Sequence, residues 1–339
     1  MLVLSGGGDY GAFGAGFLEG WGTVPPGPVS RPPEFDIVTG VSTGALIAPF
    51  AFIGDNASYR RVTDLYQEPK TDWVRLAGLF FFLPGRASFL DTRGLQRDIY
   101  AQFDADVVAR ITEGYRQGRV LGIGTTNLDL SVTRPWNLTD EAVKAVETGN
   151  LDRVHKVLLA SAAIPAAFPP VAIDDTLYVD GGTSSNILYN IEMLTQDSPR
   201  TIWRRKHPDR PLPRMRFWVI INNQLDAAPQ LVQPNWPSIT STSVSTAIRS
   251  STVGSLRFLA LQVEFIKHTE KVDIEVYYIA IPDEWRAPKT GIFEKETMRS
   301  LAERGYELGC NPDNWKTYHF TPNAPIDPFT GSSTQSPAR

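Results

Sequence analysis

The 339-residue chain has few of the side chains that usually hold metal ions, with one cysteine and four histidines. Cys310 has no partner for an intramolecular disulfide, and no Cys/His pair has the spacing of a zinc site. No acidic cluster resembles a calcium site either. We therefore predict a fold stabilised by its apolar core, without a metal and without a cofactor.

Long apolar runs and long basic runs are also missing. No stretch approaches the ~18 apolar residues that span a bilayer, and no signal peptide is recognisable. The formal net charge is −4, which disfavours nucleic acid as a partner. The densest basic cluster, residues 204–206 (RRK), is interpreted as a short solvated loop.

The chain starts on an apolar run, residues 1–4, that is predicted to be a buried strand. Domains rarely begin on a central strand without a lead-in, so this start is consistent with removal of natural N-terminal sequence. With such a targeting segment, we expect a peripheral membrane or cell-envelope location. Without one, we expect a cytoplasmic location.

Short apolar strands, helices and loops rich in glycine and proline alternate along the chain. Strands are predicted over residues 1–4, 35–39, 119–126, 176–179, 216–221 and 274–281. Helices are predicted over residues 11–21, 43–52, 95–111, 151–163, 246–267 and 293–308. This alternation predicts an α/β fold, a three-layer α/β/α sandwich with a mostly parallel central sheet.

A glycine-rich loop, residues 5–11 (SGGGDYG), separates the first strand from the first helix. Successive glycines allow a tight turn and expose backbone N–H groups beside a helix N-terminus, where phosphates and oxyanions bind. Gly6, Gly8 and Gly11 also have the G-x-G-x-x-G spacing of a dinucleotide fold. By itself, the loop is therefore compatible with acyl transfer, with nucleotide binding, or with a turn that only allows close helix packing.

Two further motifs also follow predicted strands. Residues 40–44 (GVSTG) form a G-x-S-x-G pattern, in which the serine occupies a strained elbow with its hydroxyl exposed. Residues 180–182 (DGG) follow a short strand, and this tripeptide is also a common turn. A serine needs a neighbouring base, and a carboxylate at a strand end can serve if the sheet brings it near the elbow.

In this order, the three motifs resemble those of the patatin-like phospholipase family: G-G-G-x-[RK]-G, G-x-S-x-G and D-G-[GA]. The resemblance covers about residues 2–190, and Asn186 lies where the family often has asparagine. It implies one catalytic domain over residues 1–320, and we predict that the Pro-, Ser- and Thr-rich tail, residues 321–339, is disordered. Tyr10 departs from the pattern, because it stands where the family usually has Arg or Lys.

The resemblance implies a catalytic dyad without a histidine, with Ser42 as the nucleophile and Asp180 as the base. An acyl-enzyme would form and then be hydrolysed by water. The resemblance also assigns roles to the motif glycines: Gly6, Gly7 and Gly8 to the oxyanion hole, Gly40 and Gly44 to the nucleophile elbow, and Gly181 and Gly182 to the turn after the aspartate.

The implied substrates are acyl esters of phospholipids or lysophospholipids, so lipid is the expected partner and peripheral membrane contact follows. Residues 79–83 (LFFFL) are the candidate for a membrane-contacting lid over an acyl site, although an apolar run of this kind is more often part of the core. Trp73 nearby favours the lid, since indoles prefer headgroup depth.

Three alternatives remain at this point. A nucleotide-dependent oxidoreductase needs an acidic residue at the end of the second strand, where this chain has the G-x-S-x-G motif. A non-catalytic lipid-binding module could retain the same fold. An ordinary α/β-hydrolase triad would recruit His207, His268 or His319, which follow the acid in the chain.

Overall fold

A computed structural model describes residues 1–25, 32–76, 88, 90–189, 199–226 and 231–318. Its strands are β1 (Leu2–Leu4), β2 (Ile37–Val41), β3 (Arg75–Leu76), β4 (Leu90–Asp91), β5 (Val120–Asn127), β6 (Val132–Asn137), β7 (Val171–Ile173), β8 (Thr176–Asp180), β9 (Met215–Ile221), β10 (Ile274–Ala280) and β11 (Lys316–Thr317). Its helices are α1 (Gly11–Gly22), α2 (Thr43–Ile53), α3 (Asn56–Gln67), α4 (Arg93–Gln102), α5 (Ala105–Arg116), α6 (Leu138–Thr148), α7 (Asp152–Ser161), α8 (Pro199–Lys206), α9 (Trp236–Glu270) and α10 (Lys295–Gly309).

The main sheet has the strand order β11-β10-β9-β1-β2-β5-β8-β7, and β6 also pairs with β5. The strands from β10 to β5 run parallel, whereas β11, β6, β8 and β7 add antiparallel pairs at the two sides. The central strands are apolar and buried, as expected for parallel strands with both faces covered. The predicted mostly parallel α/β sheet is confirmed.

The two faces of the sheet contact different helices. Leu2 and Leu4 of β1 join a core that includes α1, α2 and α10. Val3 points to the opposite face and joins a core with Leu256 and Leu259 of α9. This alternation along β1 follows from the two-residue period of a strand, and it produces the predicted three layers.

Three local predictions differ from the structure. The helix predicted over residues 95–111 is two helices, because the Asp104 side chain accepts a 3.0 Å hydrogen bond from the Val107 N–H and caps a new helix. Helix α9 begins ten residues earlier than predicted, where Asn235 caps it through the Ser238 N–H. The basic cluster ends α8 rather than forming a loop, and Arg204 pairs with Glu270 at 3.0 Å.

Some predictions fall outside the described residues. These are the lid over residues 79–83, His319 and the tail over residues 321–339. The assignment of residues 1–320 to one domain stays a prediction. In the part of the chain that the structure describes, no helix is both long and apolar enough to cross a bilayer.

Candidate active site

Ser42 occupies the turn between β2 and α2 in an unusual backbone conformation. Its φ of 55° and ψ of −124° lie in a region that non-glycine residues rarely adopt, and such strain costs about 1–3 kcal/mol. The Ser42 N–H donates a 2.9 Å hydrogen bond to Ser161 Oγ, which in turn donates to Gly124 O at 2.6 Å. Residues 40–44 thus form a sharp turn between the strand and the helix, with Ser42 in the strained position.

The two flanking glycines allow this sharp turn to pack tightly. A Cβ atom at Gly40 would collide with the backbone of Gly44, the second residue of α2. A Cβ atom at Gly44 would collide with the carbonyl groups of Leu4 and Ser5 on the neighbouring strand and loop. Side chains at these two positions would therefore push α2 away from the sheet and displace Ser42.

The register of the sheet brings Asp180 to Ser42. Val41 pairs with Gly124 of β5, and the next β5 residue, Thr125, pairs with Asp180 at the end of β8. Ser42 and Asp180 consequently lie at the same edge of the sheet. The Ser42 Oγ donates a 2.6 Å hydrogen bond to Asp180 Oδ2.

The Asp180 carboxyl group is buried, with 3% of the residue exposed. Burial raises its pKa from 3.8 to about 6, although hydrogen bonds from Ser42 and from the Gly182 N–H act in the opposite direction. The Gly182 N–H lies 2.7 Å from Asp180 Oδ1, and Gly181 O accepts from the Ser185 N–H at 2.8 Å. The D-G-G turn therefore orients the carboxylate directly.

The glycine-rich loop lies beside Ser42. The Gly6 N–H donates to Asn186 O at 3.2 Å, so this donor is already in use and Gly6 contributes to the shape of the loop. Among the residues that the structure describes, none accepts a hydrogen bond from the N–H of Gly7 or Gly8. Gly8 has a φ of +61°, which favours glycine, and it lines the cavity that contains Ser42.

Three asparagines, which we call the asparagine clamp, hold the carbonyl groups of this loop. Asn222 Nδ2 donates to Ser5 O at 2.8 Å. Asn223 and Asn186 donate to Gly6 O from Nδ2, at 3.0 and 3.3 Å. Because a carbonyl group and the N–H of the next residue lie in one peptide plane, the clamp fixes the orientation of the Gly6 and Gly7 N–H groups.

The sequence reasoning did not identify Asn222 or Asn223. They follow β9, more than two hundred positions after the loop, and only their polarity directly after an apolar strand sets them apart. Asn222 also accepts a 3.0 Å hydrogen bond from the Gly14 N–H and is fully buried. It therefore links β9, the loop and the first turn of α1.

Tyr10, at the position where the family usually has a basic residue, has a packing role. Its ring contacts Trp285 edge-on, with the ring centroids 5.5 Å apart. The neighbouring Asp9 accepts a 3.1 Å hydrogen bond from the Phe293 N–H, and burial raises the Asp9 pKa to about 6. The loop is thus tied to the segment that carries Trp285 and Phe293.

A cavity of about 40 Å³, which we call the inner cavity, adjoins Ser42 and Gly8. Its other walls are mostly apolar and include Leu46, Leu65, Trp73, Leu95, Ile99, Ile164, Phe168 and Phe293. Trp73 is 3% exposed and its Nε1 donates to Asp98 Oδ2 at 2.7 Å. The interpretation of Trp73 as an interfacial residue is therefore wrong.

None of the three described histidines is hydrogen-bonded to Ser42 or Asp180. His155 Nε2 lies 2.7 Å from Phe103 O and its ring stacks on Tyr100. His207 packs on Trp203, and His268 Nδ1 lies 2.8 Å from Glu264 O. Within the described ranges, no group of three or more His, Cys, Asp or Glu side chains is arranged to hold a metal ion.

Comparison with protein families gives a match to "Patatin-like phospholipase" over residues 2–192, more than half of the chain. This chain belongs to the patatin-like phospholipase family. The expected resemblance is confirmed, and membership implies lipid acyl hydrolysis in general.

Further comparisons add little to the family assignment. A comparison of this chain with curated proteins found no significant match. Among solved structures, the chain is similar to VipD from Legionella pneumophila, with 12% identity and a TM-score of 0.42. That similarity covers 94% of this chain and 67% of the VipD chain. The assignment of the family therefore rests on the family match and not on VipD.

Proposed function

We propose that this patatin-like protein hydrolyses acyl ester bonds of phospholipids or lysophospholipids through a dyad of Ser42 and Asp180. The observation that carries the proposal is the 2.6 Å hydrogen bond from Ser42 Oγ to the buried carboxylate. Ser42 lines a largely apolar cavity, and an apolar cavity suits an acyl chain better than a nucleotide.

In the acylation step, Asp180 takes the Ser42 hydroxyl proton while Oγ attacks the ester carbonyl carbon. The carbonyl oxygen becomes an oxyanion, and the N–H groups of Gly7 and Gly8 are the donors that we assign to it. One such donor is typically worth about 2.7–4 kcal/mol of barrier. Collapse of the intermediate breaks the ester C–O bond, and the leaving alcohol takes the proton from Asp180.

Deacylation follows the same path with water as the nucleophile. Asp180 accepts a proton from water, whose oxygen attacks the carbonyl carbon of the acyl-Ser42 ester. The second intermediate collapses to release the fatty acid, and Ser42 Oγ recovers its proton from Asp180. The raised pKa of Asp180 supports this role, because a carboxylate with a pKa closer to neutrality is a stronger base.

Covalent labelling tests the nucleophile directly. A fluorophosphonate probe should modify the intact protein at Ser42, identified by mass spectrometry of the labelled peptide. Ser42→Ala should lose both the labelling and the hydrolysis of a butyryl nitrophenyl ester, with an unchanged circular dichroism spectrum. An intact protein that binds lipid vesicles but neither reacts with the probe nor hydrolyses the ester would instead be a lipid-binding module.

Membrane contact through residues 79–83 belongs to the same proposal. A lipid substrate lies in a bilayer, and burying one Phe side chain contributes about 1.5–3 kcal/mol. The double variant Phe80→Ser/Phe82→Ser should weaken sedimentation with phosphatidylcholine vesicles and spare hydrolysis of the soluble butyryl ester. Vesicle binding equal to that of the unmodified protein would show that this segment does not contact the membrane.

A further inference from the structure

The inner cavity shares a wall with a second and larger cavity. The second, which we call the outer cavity, has a volume of about 400 Å³. Typical small-molecule sites occupy about 300–1,000 Å³. The outer cavity is within this range, whereas the inner cavity of about 40 Å³ is far below it. A long acyl chain attached to Ser42 therefore needs space beyond the inner cavity.

Four residues line both cavities and form the wall between them: Leu95, Ile99, Ala162 and Phe168. Phe168 is the largest of them and is 7% exposed. Its ring stacks on that of Phe293, with centroids 6.5 Å apart, and its backbone N–H donates to Ile164 O at 2.8 Å. The ring of Phe168 is thus the bulkiest obstacle between the two cavities.

Most of the side chains that line the outer cavity are apolar. Its walls outside the shared residues are mainly apolar: Tyr100, Leu159, Ala163, Pro169, Pro170, Val171 and Ala172. Its polar side chains are those of Thr92, Gln96 and Lys156; Gln96 donates to Tyr100 OH at 3.0 Å, and Lys156 pairs with Asp152 at 2.8 Å. These partners leave little that would select a charged ligand over an alkyl chain.

We propose that the outer cavity binds the distal methylene groups of a long acyl chain, and that Phe168 determines how readily the chain enters it. The proposal rests on the function proposed above, because it assigns the acyl chain that Ser42 would receive. Each buried methylene group strengthens binding about fourfold. A chain that reaches the outer cavity should therefore be favoured strongly over a short one.

The first test fills the outer cavity without touching the inner one. Ala172 lies on the edge strand β7, is exposed, and lines only the outer cavity. Ala172→Trp should lower kcat/KM for a palmitoyl nitrophenyl ester about tenfold or more, and leave kcat/KM for the butyryl ester unchanged. The matched control is Ala109→Trp, an exposed alanine on α5 that lines neither cavity.

The second test replaces Phe168, the largest residue between the two cavities, by smaller residues. Phe168→Ala should raise the palmitoyl-to-butyryl ratio of kcat/KM about tenfold, and Phe168→Leu should raise it less. Combining Phe168→Ala with Ala172→Trp should cancel the gain, because the chain then meets a filled cavity. If the alanine variant does not fold, the leucine variant carries the same comparison.

Two results would overturn the proposal. An Ala172→Trp variant with the same palmitoyl-to-butyryl ratio as Ala109→Trp would exclude the outer cavity as an acyl site. A ratio unaffected by both Phe168 variants would exclude Phe168 as the residue that controls entry. Failure of the proposed function itself would look different, since the unmodified protein would then show neither butyryl hydrolysis nor fluorophosphonate labelling.

Discussion

Ser42 Oγ and Asp180 Oδ2 are 2.6 Å apart, although 138 positions separate the two residues in the sequence. The contact between them is set by strands of the sheet and not by a loop. Ser42 follows β2, Asp180 ends β8, and β5 lies between the two strands. The rigid register of three hydrogen-bonded strands thus sets the distance between the proposed nucleophile and its base.

Asp180→Asn should abolish most of the activity and leave the fold intact. The amide is nearly the same size as the carboxylate but cannot take the Ser42 proton. We expect kcat for the butyryl ester to fall about 10²–10⁴-fold, the usual contribution of a general base. Alanine variants of His155, His207, His268 and His319 serve as controls and should stay within a few fold of the unmodified protein. A loss of similar size in one of them would indicate a triad.

The pH dependence of hydrolysis should have an acidic limb near pH 6. In the proposed mechanism, Asp180 can act as a base only when it is ionised, and burial raises its pKa to about 6. Activity should therefore be constant above about pH 7 and fall tenfold for each pH unit below about pH 5. A kcat/KM profile for the butyryl ester between those limits gives the apparent pKa. A limb near pH 4 would mean that water or the substrate restores the solvation of the carboxylate.

Asp180→Asn should also make the protein more stable at alkaline pH. The folded-state pKa is raised above the ordinary value of 3.8, so the penalty of the buried charge is complete above about pH 6 and disappears below about pH 4. The free energy of unfolding of the variant should therefore exceed that of the unmodified protein by up to about 3 kcal/mol at about pH 8, since one pKa unit corresponds to ~1.4 kcal/mol. Urea unfolding at several pH values measures this difference. Asp209→Asn, which makes the same substitution at an exposed position, is the control for this measurement.

Asn222→Ala tests whether the link that Asn222 makes between β9, the glycine-rich loop and α1 positions the proposed oxyanion donors. The change leaves Ser5 O and the Gly14 N–H without their partner, each at about 1–3 kcal/mol of stability. In the folded variant, we expect kcat for the butyryl ester to fall about tenfold with little change in KM, because the donors act mainly in the transition state.

Asn223→Ala is the matched control for the clamp. Gly6 O keeps its hydrogen bond from Asn186 in that variant, so the decrease in kcat should be smaller. A lower unfolding midpoint for Asn222→Ala together with an unchanged kcat would limit Asn222 to a structural role.

Local sequence predicted the parts of the site that are formed locally. Glycines 40 and 44 allow the elbow at Ser42 sterically, so this turn could be predicted from five consecutive residues. The sheet followed from the alternation of strands and helices. The family's motifs linked Ser42 to Asp180, but their contact depends on the pairing of β5 with β2 and β8, which neither motif encodes.

Contacts between distant segments could not be predicted in this way. Asn222 has no neighbouring motif, and its function depends on the parallel pairing of β9 with β1. The sequence does not distinguish an interfacial Trp73 from a buried one, because an indole suits a membrane interface and a buried position equally well. The hydrogen bond to Asp98, which decides between the two, links a loop to α4.

The position of the asparagine clamp in the chain has a consequence for biosynthesis. During translation Ser42 is synthesised first and Asp180 much later, and Asn222 is added only after β9 has been synthesised. A nascent chain that already contains Ser42, Asp180 and Asn186 therefore still lacks Asn222 and Asn223, the other two residues of the asparagine clamp. On the proposed function, we expect such a chain to be inactive toward the butyryl ester, and hydrolysis of that ester by ribosome-stalled chains that end at residue 192 would contradict this.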